Sequence, residues 1–239
     1  MKRLILTILI FVAVYVYPED IKIKVDDQWI KSIETKRDVF FEKAEIYDIV
    51  EYDRDLLEGL RGESIDFSEF EQEISVLLYK IMLDNNKYDV DNILIGYDVL
   101  IYKFSDKKYF FKFAQNISNT KKADNFKIVS KTLEGLTVLL NAEHQKGVFD
   151  ILGLISNKLN RYIYKDKENE SKTTISYLMK FLLKYMTSVE EKKIEDKNRK
   201  KVIEMCDKLQ LDQKVSDFEE LPNGQELKQA FFFYKELED

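Results

Sequence analysis

The chain has 239 residues, 45% of them apolar and 34% charged, and carries a net charge of −6 with lysines and acids interspersed. That apolar share belongs to a globular chain with a substantial core, and the lack of a basic face argues against a nucleic-acid partner. A single histidine and a single cysteine exclude an intrachain disulfide, a cysteine-based zinc site and every metal site that needs two histidines.

Only 7 glycines and 2 prolines occur, which favours helices joined by short polar turns over sheets and long loops. Met1-Lys2-Arg3 is a basic start, and Leu4–Tyr17 follows without a charge. This is the pattern of an export signal, and it is shorter than the ~20 residues of a comfortable membrane span. Val14 and Val16 make a poor cleavage site, so two readings follow. Cleavage near residues 16–18 leaves an exported periplasmic or envelope domain over 18–239, whereas retention makes 1–17 an N-terminal membrane anchor. No cysteine follows the apolar block, which excludes lipid attachment of the bacterial lipoprotein kind.

Ile21, Ile23 and Val25 alternate with lysines, a period of two that predicts a short strand over 21–25. From Asp27 the period lengthens, and Trp29 to Leu60 reads as helical until Gly59 and Gly62. Ser68 with Glu71 has capping-box spacing, with Asp66 as a rival N-cap, and Phe70, Ile74, Leu77 and Ile81 continue one stripe. Asp84–Asp91 superficially suggests a calcium loop, but Asp89 stands where glycine is required and Ile95 where a chelating glutamate belongs. It reads instead as a turn with Asp89 or Asp91 as N-cap. Residues 99–113 fit either a β-hairpin or two helices; the helical spacing of Ile93, Tyr97, Leu100 and Phe104 favours two helices.

Phe126, Val129, Leu133, Leu136 and Leu140 recur at +3/+4, and after a polar break at 141–147 the stripe resumes through Val148, Leu152, Ile155, Leu159 and Tyr162. The apolar arc of the second helix is wide enough to place this hairpin at the centre of the fold. His144 lies in the break, in a turn composition, and Gly153 reads as a packing point. Residues 165–172 are all polar and mark a connection where the domain could subdivide. Ser188 with Glu191 predicts another helix start, Cys206 a small apolar position on a helix face, and Asn223 with Glu226 the cap of a last helix. About nine helices therefore predict an all-α fold, either a multi-helix bundle or an irregular α-solenoid of helical hairpins of roughly 35–40 residues. No fixed period and no known repeat signature emerges.

No residue pattern supports a catalytic, cofactor-binding or metal-binding site. Two aromatic runs are the candidate partner-binding residues. Phe231, Phe232, Phe233 and Tyr234 stand 100° apart on a helix and cannot all face one core; Tyr109, Phe110, Phe111 and Phe113 raise the same question beside Lys107 and Lys108. Against both stands the reading of a helix buried on two sides whose lysines reach past it to water. The expected function is a non-catalytic protein–protein interaction or scaffold role in an envelope complex. The alternatives are a membrane- or lipid-associated protein anchored through Leu4–Tyr17, and an enzyme whose site is assembled only in the fold.

Overall fold

Apolar residues at helical spacing generate nearly all of the architecture seen in the computed structural model, which describes residues 23–24, 26–43, 46–62, 65–66, 68–84, 89–164, 168–209, 224–225 and 228. The segment Leu4–Tyr17 and the run Phe231–Tyr234 lie outside the described residues; of the helix expected after Asn223, residues 224–225 and 228 are described and are helical.

Among the described residues there are nine α-helices: α1 (Asp27–Lys43), α2 (Ile46–Gly62), α3 (Glu71–Tyr79), α4 (Val90–Tyr102), α5 (Lys108–Ser118), α6 (Phe126–Leu139), α7 (Gln145–Tyr164), α8 (Glu168–Glu190) and α9 (Arg199–Lys208). A π-helical turn, Lys80–Asp84, prolongs α3. The alternating segment near the start contributes two residues, β1 (Ile23–Lys24), which pair in parallel with β2 (Ile65–Asp66). The fold is all-α.

Neighbours in space are alternate helices in sequence. α2 packs on α4, α4 on α6 and α6 on α8, while α5 packs on α7 in a second layer. The register shows that α2, α4 and α6 run parallel. Arg61 meets Asp98, Tyr97 meets Thr132 and Tyr102 meets Glu134, at sequence offsets of 37, 35 and 32 residues. Each helix–turn–helix returns the chain to its starting direction and sets the next helix beside the last but one. This is the stacking of a solenoid, with the near-constant offset as its repeat.

α6 sits within that layer and buries residues on most of its circumference, Val129, Leu133, Leu136 and Leu139 among them. α7 buries Val148, Ile151, Leu152, Ile155 and Leu159 against it and its neighbours. The central hairpin is thus placed as its wide apolar arcs require. Gly135 permits a close approach: a Cβ there would lie 2.5 Å from Phe110 Cε2 and 2.9 Å from Ile101 Cδ1. Gly153 does not act as a packing point, since nothing lies within 4 Å of where its Cβ would be.

Short polar side chains set the helix starts. Asp26 Oδ1 accepts the Trp29 N–H at 2.7 Å, Asp89 Oδ1 the Asp91 N–H at 3.0 Å, and Asn125 Oδ1 the Lys127 N–H at 2.9 Å. Both Ser-x-x-Glu boxes fail. Asp66 takes the Ser68 N–H at 3.0 Å, α3 opens at Glu71, and the Glu71 carboxylate instead accepts the N–H groups of Ser105 and Asp106 in the α4–α5 turn. Ser188 and Glu191 lie at a helix end. Lys192 adopts φ 55°, its N–H reaches Val189 O at 2.9 Å, and Lys193 N–H reaches Ser188 O at 2.8 Å, a Schellman closure. α8 also begins at Glu168, inside the stretch read as a connection. Residues 99–113 form the two helices the spacing favoured, and Lys107 closes the first by donating to Ile101 O at 2.7 Å and to Phe104 O.

Candidate functional site

The parallel layer brings one polar face from each of four helices to the same side. On α2, Arg54, Glu58 and Arg61 are spaced +4 and +3; on α4, Asp91 and Asp98 are seven apart; on α6, Lys127, Lys131 and Glu134 are spaced +4 and +3; on α8, Thr173 and Tyr177 are four apart. Together they line a groove of about 550 Å³, with Leu94, Ile95, Phe126 and Ser130 also in its wall. The volume is within the range of ligand clefts.

One end of the groove is tied by an ion-pair network spanning three helices. Asp98 on α4 accepts Lys131 Nζ from α6 at 2.5 Å and faces Arg61 Nη1 from α2 at 3.5 Å. Arg61 also pairs with Glu58, and Lys131 reaches both oxygens of Glu134 at 3.1 Å. Tyr102 OH donates to Glu134 Oε1 at 3.3 Å. Burial opposes the charge on Lys131, but its hydrogen bonds to Asp98 and Glu134 outweigh that and hold its pKa above the usual lysine value. Burial, with the Glu134 charge, pushes the Tyr102 phenol up.

The other end, where α4, α6 and α8 begin, is less closed. Arg54 Nη2 lies 3.6 Å from Asp89 Oδ2. Lys127 is exposed and makes no ion pair among the described residues. Ser130 Oγ is buried without a hydrogen-bond partner, a state that costs about 1–3 kcal/mol when nothing else satisfies the hydroxyl. Tyr177 stands at the α8 wall with the Lys180 ammonium 5.3 Å from its ring centre.

The aromatic candidates on α5 lie elsewhere, and their burial corrects the expectation of partner contact for two of them. Phe110 is fully buried under Gly135, and Phe113 is buried with its ring centre 5.9 Å from that of Tyr79. Tyr109 and Phe111 are half-buried, the first edge-on to Phe104 and the second edge-on to His144 at 5.9 Å. The run thus packs between layers, the helix-buried-on-two-sides reading. His144 is a turn residue whose N–H donates to Asn141 Oδ1 at 2.9 Å, and Cys206 is buried. Among the described residues no three His, Cys, Asp or Glu side chains are grouped to hold a metal ion.

Sequence reasoning missed the groove because it followed apolar periodicity. The available signal was charged: Arg54/Arg61, Asp91/Asp98 and Lys127/Lys131/Glu134 each share one helical face, and the three sets recur at the offset of the helical pairs. Comparisons with protein families, with characterised proteins and with solved structures find no match.

Proposed function

We propose that this chain is a non-catalytic helical scaffold that holds a segment of a partner polypeptide in the α2–α4–α6–α8 groove. The observation that carries this reading is the cross-helix network Arg61–Asp98–Lys131–Glu134, which holds groove walls of both charge signs in fixed geometry before any partner arrives. Preorganised walls reduce the ordering cost of association. A surface with four cations and four anions suits a polypeptide, which carries acids, amines and amides together, better than it suits a polyanion. Tyr177 and Phe126 at the wall are the residue types that anchor interfaces.

Lys2, Arg3 and the uncharged Leu4–Tyr17 support export, with the scaffold working in the periplasm or cell envelope. A second reading, retention as a membrane anchor, is favoured by the poor Val14/Val16 cleavage site. Among the described residues no helix is long and apolar enough to cross a membrane. Intact mass of the mature chain separates the two, since cleavage removes roughly 17 residues.

The groove is tested by placing a photo-crosslinking residue at Tyr177 and, as a control, at the exposed Glu73 on α3, outside it. Partner adducts from position 177 and none from 73 are the expected result. Adducts confined to 73 would overturn the reading.

A further inference from the structure

Charge is unevenly neutralised along the groove. Asp98, Glu134, Arg61 and Lys131 satisfy one another at one end. Away from that network, three features line the groove: the Lys127 ammonium, exposed and without an ion pair among the described residues; the Arg54 guanidinium on α2, loosely held at 3.6 Å from Asp89; and the Ser130 hydroxyl, 3% exposed and without a hydrogen-bond partner. Lys127 and Ser130 are three residues apart on α6 and so share a face. A serine inside a helix normally turns its hydroxyl to water or to the carbonyl one turn back; this one does neither. α6 runs 14 residues, and its N-terminal dipole adds a fixed positive field at the same place. Asp91, across the groove on α4, opposes an anion. The site therefore suits a single carboxylate seated on the α6 side, not a highly charged group.

We infer that this end of the groove is a carboxylate subsite, in which an acidic side chain of the partner polypeptide accepts the Ser130 Oγ–H and is neutralised by Lys127, with Arg54 as the second cation at the mouth. The inference rests on the groove being the partner site. A carboxylate supplies both things the site lacks, an acceptor for a buried donor and a counter-charge for a cation, and the amide of Gln or Asn supplies only the first.

The test uses the full chain and short degenerate peptide libraries that differ only at a central position, fixed as Glu, Gln or Lys. The wild type is expected to enrich the Glu library about tenfold over Gln, the ratio that 1.4 kcal/mol corresponds to, and to disfavour Lys. Lys127→Gln should erase most of the Glu advantage, whereas Ser130→Ala should weaken the Glu and Gln libraries alike and, by removing a buried unsatisfied hydroxyl, leave the thermal midpoint of the free chain no lower. A midpoint that does not fall separates a ligand-facing hydroxyl from a structural one, and a fall would overturn the assignment of Ser130 to the ligand. Equal binding of Glu and Gln libraries, still lost in the Tyr177→Asp variant, would overturn the subsite and leave the groove standing. No library binding at all would overturn the groove with it. Acetate alone binding as tightly as the Glu library would overturn the assignment to a polypeptide.

Discussion

Removing one side of the buried Arg37–Asp53 pair should open the α1–α2 end of the stack. Arg37 Nε donates to Asp53 Oδ1 at 2.9 Å and Nη2 to Oδ2 at 3.4 Å, and the two side chains are 3% and 0% exposed. Asp53→Ala strips the guanidinium of this carboxylate in a place almost without water. One-sided removal of a buried ion pair costs about 3–5 kcal/mol, and at 1.4 kcal/mol per factor of ten that lowers the local folding constant roughly 10²- to 10⁴-fold. Arg37→Met with Asp53→Leu removes both charges and keeps apolar volume, so the double variant should be near neutral. Stacked repeats open from their ends, so the loss should appear as faster hydrogen exchange in α1 and α2 before the urea midpoint of the whole chain moves. If Asp53→Ala changed protection by less than about 1 kcal/mol, or if the double variant were as damaged as the single one, the pair would not hold this contact as described.

Two further outcomes follow from the packing. Lys131 has a folded pKa raised above its unfolded value of about 10.4, so its contribution is fully present below about pH 10.4 and fades as pH rises through the folded value. Lys131→Met should therefore lower the urea midpoint at about pH 8, with a gap to wild type that narrows by about pH 11; a gap of constant size would contradict this. Adding a methyl to two helical glycines should have opposite signs. Gly153→Ala meets open space and should stabilise by about 0.5–1 kcal/mol, whereas Gly135→Ala drives into Phe110 and Ile101, where overpacking of about 1–3 kcal/mol exceeds the helix-propensity gain. Calorimetric midpoints shifting in the same direction would refute the pair.

The helices were readable because burial imposes a period, and that period is written in Phe126, Val129, Leu133 and Leu136 and in Ile74, Leu77 and Ile81. The parts that misled share another cause. Ser-x-x-Glu has the same spacing whether it opens a helix or, as at Ser188, sits in its last turn; what decides is Lys192 in a left-handed conformation, which a lysine does not announce. Glu71 was free to leave the cap because the Ser105 and Asp106 N–H groups, more than thirty residues away, needed an acceptor. Four aromatics on α5 looked surplus to one core, but α5 lies between Phe104, Gly135 and Gly147 and is used on more than one side. The groove itself depends on which helices become neighbours, and no local pattern states that.

Register explains why the groove combines a closed end with an open one. α2, α4 and α6 run parallel, so equivalent turns meet and each charge faces the next repeat. Asp98 is shared between Arg61 behind it and Lys131 ahead of it. Sliding α6 by one turn, 5.4 Å, would bring Lys127 to Asp98 instead. That slide would separate the Tyr97 and Thr132 hydroxyls, 3.2 Å apart in the core, and withdraw Glu134 from Tyr102. The buried contact has no water to fall back on, so it fixes the register, and the surface charges take what the register leaves. The packing that consumes Lys131 within the fold is the packing that leaves Lys127, one turn earlier, exposed at the groove.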